Sequence, residues 1–448
     1  MNFEVLKRSH VRRNILVAVL IIVLLLGIVI IKNRTNTLSN SSISKESITK
    51  ELKDNLIGAY IQEGEEYKQT DDIPSSGYEF NAEKSYCKIG DVVQEDMTLS
   101  YDMDTQTLTV SPIAKEGTKC YLYFDEKLSA GETILAHYQT VLTRTSFSST
   151  VTNTTTGTIY KSANESQYDD FGEVYYFAGN PTDNWFQFGT NSSGQPLYWR
   201  IVRINGDGSI RLIYNGTSTS QTGNSTMINT SKVFNSSYNN NMYVGYMYQS
   251  GQVHGLKTNS SIKKTLDNWY LSNLADDAEY IDGNAGFCGD RTPYSGSGTG
   301  TSSTDYAACN RLVKSKNPSF KCTDKDNDLY TTPGSSTGNG ALKVTPSDND
   351  STPTPIGLIT ADEVAFAGGV YGSSNTSYYL YNNAYYWTMS PSYYRSDGAY
   401  VFYVWSDGSL YESRVGYTFG VRPVINLKAN VTILSGDGSS LNPYKITE

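Results

Sequence analysis

The sequence predicts an α+β protein in three parts: an N-terminal transmembrane helix, a small disulfide-linked β domain and a large C-terminal domain. Three observations lead there. An apolar run, Ile15–Ile31, follows a cluster of basic residues. Short alternating apolar and polar segments recur between Gly, Asn and Asp turn residues, the pattern of half-buried strands. Two stretches, 261–274 and 360–367, carry helical signals among them. Composition agrees, since 36 tyrosines with abundant Ser, Thr, Asn and Gly fit turn-rich β-structure facing water. So many aromatics argue against a disordered chain.

Lys7, Arg8, Arg12 and Arg13 precede the apolar run. Its seventeen residues at helical rise span about 25 Å, the short end for crossing a bilayer. Basic residues ahead of the span predict a cytoplasmic tail at 1–13, a transmembrane anchor at 14–31 and an exported remainder. A cleaved signal peptide is the rival. Against it, the run exceeds an ordinary h-region, and KNRT follows where a small-x-small site would stand. Residues 32–76 read as a stalk, polar at first. Ile43, Ile48, Leu52, Leu56 and Ile57 then space as an amphipathic helix up to Gly58.

Residues 77–127 hold YEFN, MTLSYDM, TLTVSPI and KCYLYFDE, the strands of a small β domain. A segment this short buries little core, and a Cys87–Cys120 bridge would offset that. Asp102 and Asp104 read as a solvated turn in preference to a calcium site. Residues 128–170 form a linker with a short helix carrying His137, read as a surface or packing residue, and then a Thr-rich connector or edge strand.

The large domain is placed at 171–430. Trp199, Ile201, Val202 and Ile204 face Ile210, Leu212 and Ile213 across Asn205-Gly206-Asp207-Gly208, a tight turn and not a cation loop. Ile262, Leu266, Trp269, Tyr270 and Leu274 share one helical face, a packing stripe. The stretch 276–355 is Gly/Ser/Thr-rich, and loops this long are functional or disordered. Within it Asp324-x-Asp326-x-Asp328 opens like an EF-hand. Leu329 stands where the turn Gly belongs and Ser335 where the bidentate Glu belongs, so solvated carboxylates are the better reading. Thr360-Ala361-Asp362-Glu363 is a capping box for a helix stopping at Gly368-Gly369. Residues 431–448 read as one more strand, a turn and a tail.

Five cysteines, Cys87, Cys120, Cys288, Cys309 and Cys322, form no C-x-x-C pair and have no His near them, so zinc is not expected. No other metal and no cofactor is expected either. In an exported chain they are disulfide candidates. Cys87 and Cys120 bracket one compact β segment, and Cys288–Cys322 would close the Gly-rich loop between them. Cys309 is then odd, free or intermolecular. A net charge of −9 without a basic patch argues against nucleic-acid partners.

The stretch Tyr385–Leu427 organises the rest. Strand-favouring Val401–Val404 and the run Leu410–Val415 flank the turn dipeptide Asp407-Gly408, as in a hairpin. Eight tyrosines lie between Tyr385 and Val421, with Ser, Gly and Asp among them. That is the vocabulary of a binding surface, large rigid aromatic area surrounded by adaptable polar groups. The candidate contacts are Tyr393, Tyr394, Ser396, Asp397, Tyr403, Trp405, Asp407, Tyr411, Glu412, Ser413 and Tyr417. Ala399, Val401, Val404, Leu410, Val415, Val421, Arg422 and Pro423 are assigned to the framework, with Arg422 bonding backbone carbonyls.

Gly357–Gly369 (GLITADEVAFAGG), Trp387–Pro391 (WTMSP) and Gly420–Leu427 (GVRPVINL) together resemble a C-type-lectin-like fold of the formylglycine-generating-enzyme type. The nearest likeness is to bacterial variable proteins diversified by retroelements and to related surface proteins, across roughly Gly172–Leu427. This resemblance implies that residues before the closing G-[FV]-R segment form an exposed ligand-binding face. It also implies a bacterial cell-membrane location, single-pass, with the C-terminal domains extracellular. The FC-x-DR and KC segments around Cys288 and Cys322 are shared with such surface proteins. The formylglycine-generating enzymes use cysteines late in the domain, and none follows Cys322 here. No G-x-S-x-G, H-E-x-x-H, P-loop or dinucleotide fingerprint is present, and neither is the E-P-N or Q-P-D triplet of sugar-binding C-type lectins. The expectation is therefore a membrane-anchored surface protein, adhesin- or receptor-like, that binds an extracellular protein or glycan and is not an enzyme. The alternatives are a structural cell-envelope protein, or an enzyme lacking the late cysteines.

Overall fold

The computed structural model describes residues 41–43, 57–74, 77–103, 105–112, 116–332 and 354–446. The expected cytoplasmic tail and membrane span fall outside them. Among the described residues no helix is long and apolar enough to cross a membrane. The longest, Ser261–Asn273, has 13 residues, about 20 Å at helical rise and short of a bilayer core. The single-pass membrane location expected from the sequence is therefore not retained. The α+β class is corrected as well. Strand accounts for 36% and helix for 15%, so the protein is predominantly β.

The chain divides into two compact units, 1–128 and 129–448. In the first, Ile57–Glu63, Glu66–Thr70, Tyr78–Phe80, Tyr86–Ile89, Val92–Val93 and Thr118–Glu126 form a six-stranded sheet. Ser41–Ile43, Thr107–Ser111 and Thr98–Asp102 form a three-stranded one. Ile43 and Ile57, expected on a stalk helix, both lie in strands. The β-branched Ile57 begins a strand that runs parallel to Thr118–Glu126 and buries Ile57 and Ala59. Cys87 and Cys120 are direct cross-strand partners and are disulfide-bonded. Their strand alternates cleanly, with Cys120, Leu122 and Phe124 buried and Tyr121 and Tyr123 half-buried on the other face.

The second unit is built on two seven-stranded sheets. Strands that frame the site are β1 (Trp185–Thr190), β2 (Pro196–Ile204), β3 (Ile210–Tyr214), β4 (Asn229–Val233), β5 (Tyr386–Arg395), β6 (Gly398–Val404), β7 (Leu410–Arg414), β8 (Thr418–Val421) and β9 (Val424–Leu427). The helices are α1 (Ala130–His137), α2 (Ser261–Asn273) and α3 (Ala361–Ala367). One sheet contains β1, β2, β3 and β9; the other contains β4, β8, β5, β6 and β7. The GVRPVINL segment passes from one to the other, with β8 in one sheet and β9 in its neighbour. At the crossing Arg422 is buried and donates to the carbonyls of Tyr214 (3.2 Å) and Leu380 (3.1 Å). All eight residues assigned to the framework are buried.

Both hairpin turns form as read. Asp207 and Asp407 each accept from the amide two residues on, at 3.0 and 2.9 Å, and from the same serine's hydroxyl. The α2 stripe buries Ile262, Leu266, Tyr270 and Leu274, while Trp269 packs on Trp199 and Tyr214. The capping box closes on α3, which stops where Gly368 takes φ +115°. Cys288 and Cys322 are bridged, and Cys309 is free and buried.

Candidate ligand-binding face

The β5–β6–β7 ribbon positions the candidate residues. Antiparallel pairing places Trp387 opposite Tyr403 and Tyr403 opposite Tyr411, so the three rings share one face. Tyr403 stacks on Phe419 of β8 at 4.4 Å, and Phe419 meets Trp387 at 4.6 Å. Trp405 closes on Tyr385 (5.3 Å), Tyr403 (5.8 Å) and Tyr411 (5.5 Å). Tyr371 continues the row beyond Tyr411 at 5.4 Å. Trp387 and Tyr403 form the base at 0% and 3% exposure, and Tyr385 and Trp405 form the rim at 39% each. The base is pinned by the Trp387 indole N–H, which donates to the Lys232 carbonyl at 2.7 Å.

A second patch lies at the β5–β6 turn. Tyr393 stacks on Tyr400 at 4.6 Å, with the Arg395 guanidinium 4.7 Å from the Tyr393 ring. Exposed Asp397 accepts from the Tyr400 hydroxyl (2.6 Å) and from Arg414 (3.0 Å). Those two hydrogen bonds, the Tyr400 one first, hold its carboxyl below the usual range. Arg414 also lies 6.0 Å from the ring of Tyr417, which is 58% exposed.

The candidates thus separate. Trp405 and Tyr411 belong to the first patch, and Tyr393, Ser396, Asp397 and Tyr417 to the second, while half-buried Glu412 lies opposite Phe402 on the other strand face from Tyr411. Three are not available for contact. Tyr394, Tyr403 and Ser413 are buried, at 2%, 3% and 9% exposure, and Tyr403 is covered by its ring neighbours Trp387, Trp405 and Phe419. Asp407 spends one carboxylate oxygen on its own turn. Glu412 accepts from the Tyr371 hydroxyl at 2.9 Å, while its other oxygen is buried without a partner. Burial raises its pKa, and the Tyr371 hydrogen bond opposes the rise.

Sequence reasoning missed Tyr385, Phe419, Tyr400, Arg414 and Tyr371. The first four lie within the stretch singled out, and correct cross-strand register would have found them. Tyr371 arrives from a distant loop through a bridge to Leu410, which no local pattern announces. The Asp324–Asp328 run is structural at its end. Asp328 is fully buried against Arg291, and Asp324 caps the short helix Lys325–Asp328.

No protein-family model matches the chain, and no curated protein or solved structure matches it either. The lectin-like resemblance accordingly rests on its three short segments.

Proposed function

We propose that this chain is a ligand-binding protein whose C-terminal unit recognises a protein or glycan through the aromatic face of β5–β8. One observation carries the reading: a continuous row of stacked rings whose base is immobile and whose rim, Tyr385 and Trp405, faces solvent. Rigid aromatic area of this kind gives contact at low entropic cost. Asp397, Arg414 and Tyr417 form a separate charged patch at the β5–β6 turn. Support also comes from the resemblance to retroelement-diversified variable proteins, which places their ligand face just before the closing G-[FV]-R segment. Contact without bond-making is the activity proposed.

The test uses the full chain on a glycan array and a surface-protein array, beside the triple variant Tyr385→Ala, Trp405→Ala, Tyr417→Ala. Loss of the bound features in a variant that still melts cooperatively supports the reading. Undiminished binding by the variant, or no bound feature on either array, removes it and favours a structural envelope role.

A further inference from the structure

A cavity of about 230 Å³ opens on the C-terminal unit between β1, β2 and the segment 376–382. Two further cavities in the unit have room for about 30 and 10 Å³, whereas this one approaches the size of an organic ligand. Arg200 stands in its wall, 7% exposed, with its guanidinium 4.3 Å from the Trp185 ring and 5.3 Å from that of Tyr379. Its Nε donates to Asn184 Oδ1 at 2.7 Å and its Nη2 to the Pro181 carbonyl at 2.8 Å and to Asn184. No carboxylate pairs with it among the described residues.

That sets Arg200 apart. Buried Arg203, Arg211 and Arg291 and half-buried Arg311 each hold an Asp or Glu. Buried Arg422 also lacks one, but it is occupied by two carbonyls and by Asn215 of the cavity wall. Burial pushes the pKa of Arg200 down to about 9, which leaves it cationic at neutral pH. Buried Asp183 acts on it through space without forming an ion pair, and a buried cation without a hydrogen-bonded anion is costly. A second observation concerns the same wall: Tyr379, which lines the cavity, has its hydroxyl buried without a partner. The remaining wall is made of hydroxyls and primary amides, among them Asn180, Gln221 and Ser377. Such a lining suits a ring bearing several hydroxyls and offers no apolar pocket for an amino-acid side chain.

We propose that this cavity binds a single carboxylated sugar residue, its carboxylate on Arg200 and its hydroxyls on the surrounding amides and hydroxyl groups. With Nε and Nη2 of Arg200 held by Asn184 and Pro181, its remaining Nη1 would donate one charge-assisted hydrogen bond to the carboxylate, and the Trp185 ring supplies the flat partner for sugar C–H groups. This site is separate from the aromatic face and does not depend on the function proposed for it.

The experiment titrates the full chain with D-glucuronate, D-glucose, acetate and an acetylated dipeptide carrying a free C-terminal carboxylate, followed by calorimetry and by Trp fluorescence. D-Glucuronate should bind about tenfold or more tightly than D-glucose, the margin of one charge-assisted hydrogen bond. Arg200→Gln should erase that preference. Because loss of a buried arginine can unfold the unit, Ser377→Trp at the exposed rim provides a second variant, expected to block D-glucuronate while leaving the melting curve unchanged. Equal binding of glucose, no binding at millimolar D-glucuronate, or full binding by a folded Ser377→Trp variant would overturn the proposal. Equal affinity for acetate would reduce the site to a simple anion site, and preference for the dipeptide would transfer it to peptide recognition; either result rejects the sugar.

Discussion

Whether a tyrosine of the β5–β8 region is scaffold or contact surface is decided by burial, and Tyr403→Ala against Tyr417→Ala measures it. Tyr403 is 3% exposed, stacks on Phe419 at 4.4 Å and meets Trp387 edge-on at 6.2 Å. At the low end of aromatic burial, about 150 Å², and about 25 cal/mol per Å², truncation removes about 4 kcal/mol. That lies within the range of about 3–5 kcal/mol for emptied aromatic sites. Tyr417 is 58% exposed, and its truncation should cost under about 1 kcal/mol. All five tryptophans lie between Trp185 and Trp405, within the C-terminal unit. Intrinsic fluorescence in urea therefore reports that unit alone and avoids mixing two unfolding transitions. The Tyr403→Ala midpoint should fall at unchanged slope while that of Tyr417→Ala stays near the parent. A loss below about 1 kcal/mol for Tyr403→Ala, or a larger loss for Tyr417→Ala, would refute the division into base and rim.

Two further outcomes follow from buried charge. Glu412 has its pKa raised by burial, so its contribution to stability is complete below the unfolded-state value, about pH 4, and is lost as pH rises through the folded value. Glu412→Gln keeps an acceptor for Tyr371 and removes the charge. Its melting temperature should exceed the parent's at pH 7 and match it near pH 4, and a pH-independent difference would refute the assignment. Arg291 and Asp328 are 1% and 0% exposed. Arg291→Met leaves Asp328 with His254 at 3.4 Å and should cost about 3–5 kcal/mol in the same urea assay, most of it regained on adding Asp328→Leu. Less than about 1 kcal/mol for the single variant would show that the pair is solvated.

What was legible in the sequence was whatever local chemistry dictates. The Asn205–Gly208 and Asp407-Gly408 turns, the Thr360 capping box and the α2 stripe each need only a few consecutive residues to declare themselves, and each formed. Register was less accessible. Strand β5 pairs with β6 through two irregularities, Trp387/Pro391 and Pro391/Tyr393. A shift of one residue exchanges the two faces of a strand, so the local sequence does not show that Tyr394 is buried while Tyr400 is half-exposed. The segment ending at Gly58 misled in a different way. Apolar residues at helical spacing predicted a helix, yet Ile57 and Ala59 meet the alternating core of Thr118–Glu126, and that pairing prevails over the local pattern. Arg200 gave no signal, since only the fold shows which arginines lack a carboxylate.

The abundance of tyrosine has a cause in this fold that is separate from recognition. Among the described residues, several buried tyrosines donate their hydroxyls to backbone carbonyls, five of them to carbonyls of connecting segments. Tyr138 reaches Asp183 (2.6 Å), Tyr246 reaches Ile356 (2.7 Å) and Tyr330 reaches Thr354 (2.8 Å). Tyr378 reaches Gly408 and Tyr386 reaches Leu380, both at 2.9 Å. None of these acceptors lies inside a named strand or helix. A protein with short strands and long connections brings many such carbonyls under cover, and each requires a donor once water is excluded. Phenylalanine would fill the same volume and leave the carbonyl unmet, whereas tyrosine does both. Part of the tyrosine count therefore reflects irregular backbone that this fold buries. The case for recognition has to rest on the few rings that face solvent, and Tyr385, Trp405 and Tyr417 carry it because the rings beneath the first two are packed tightly enough to hold them still.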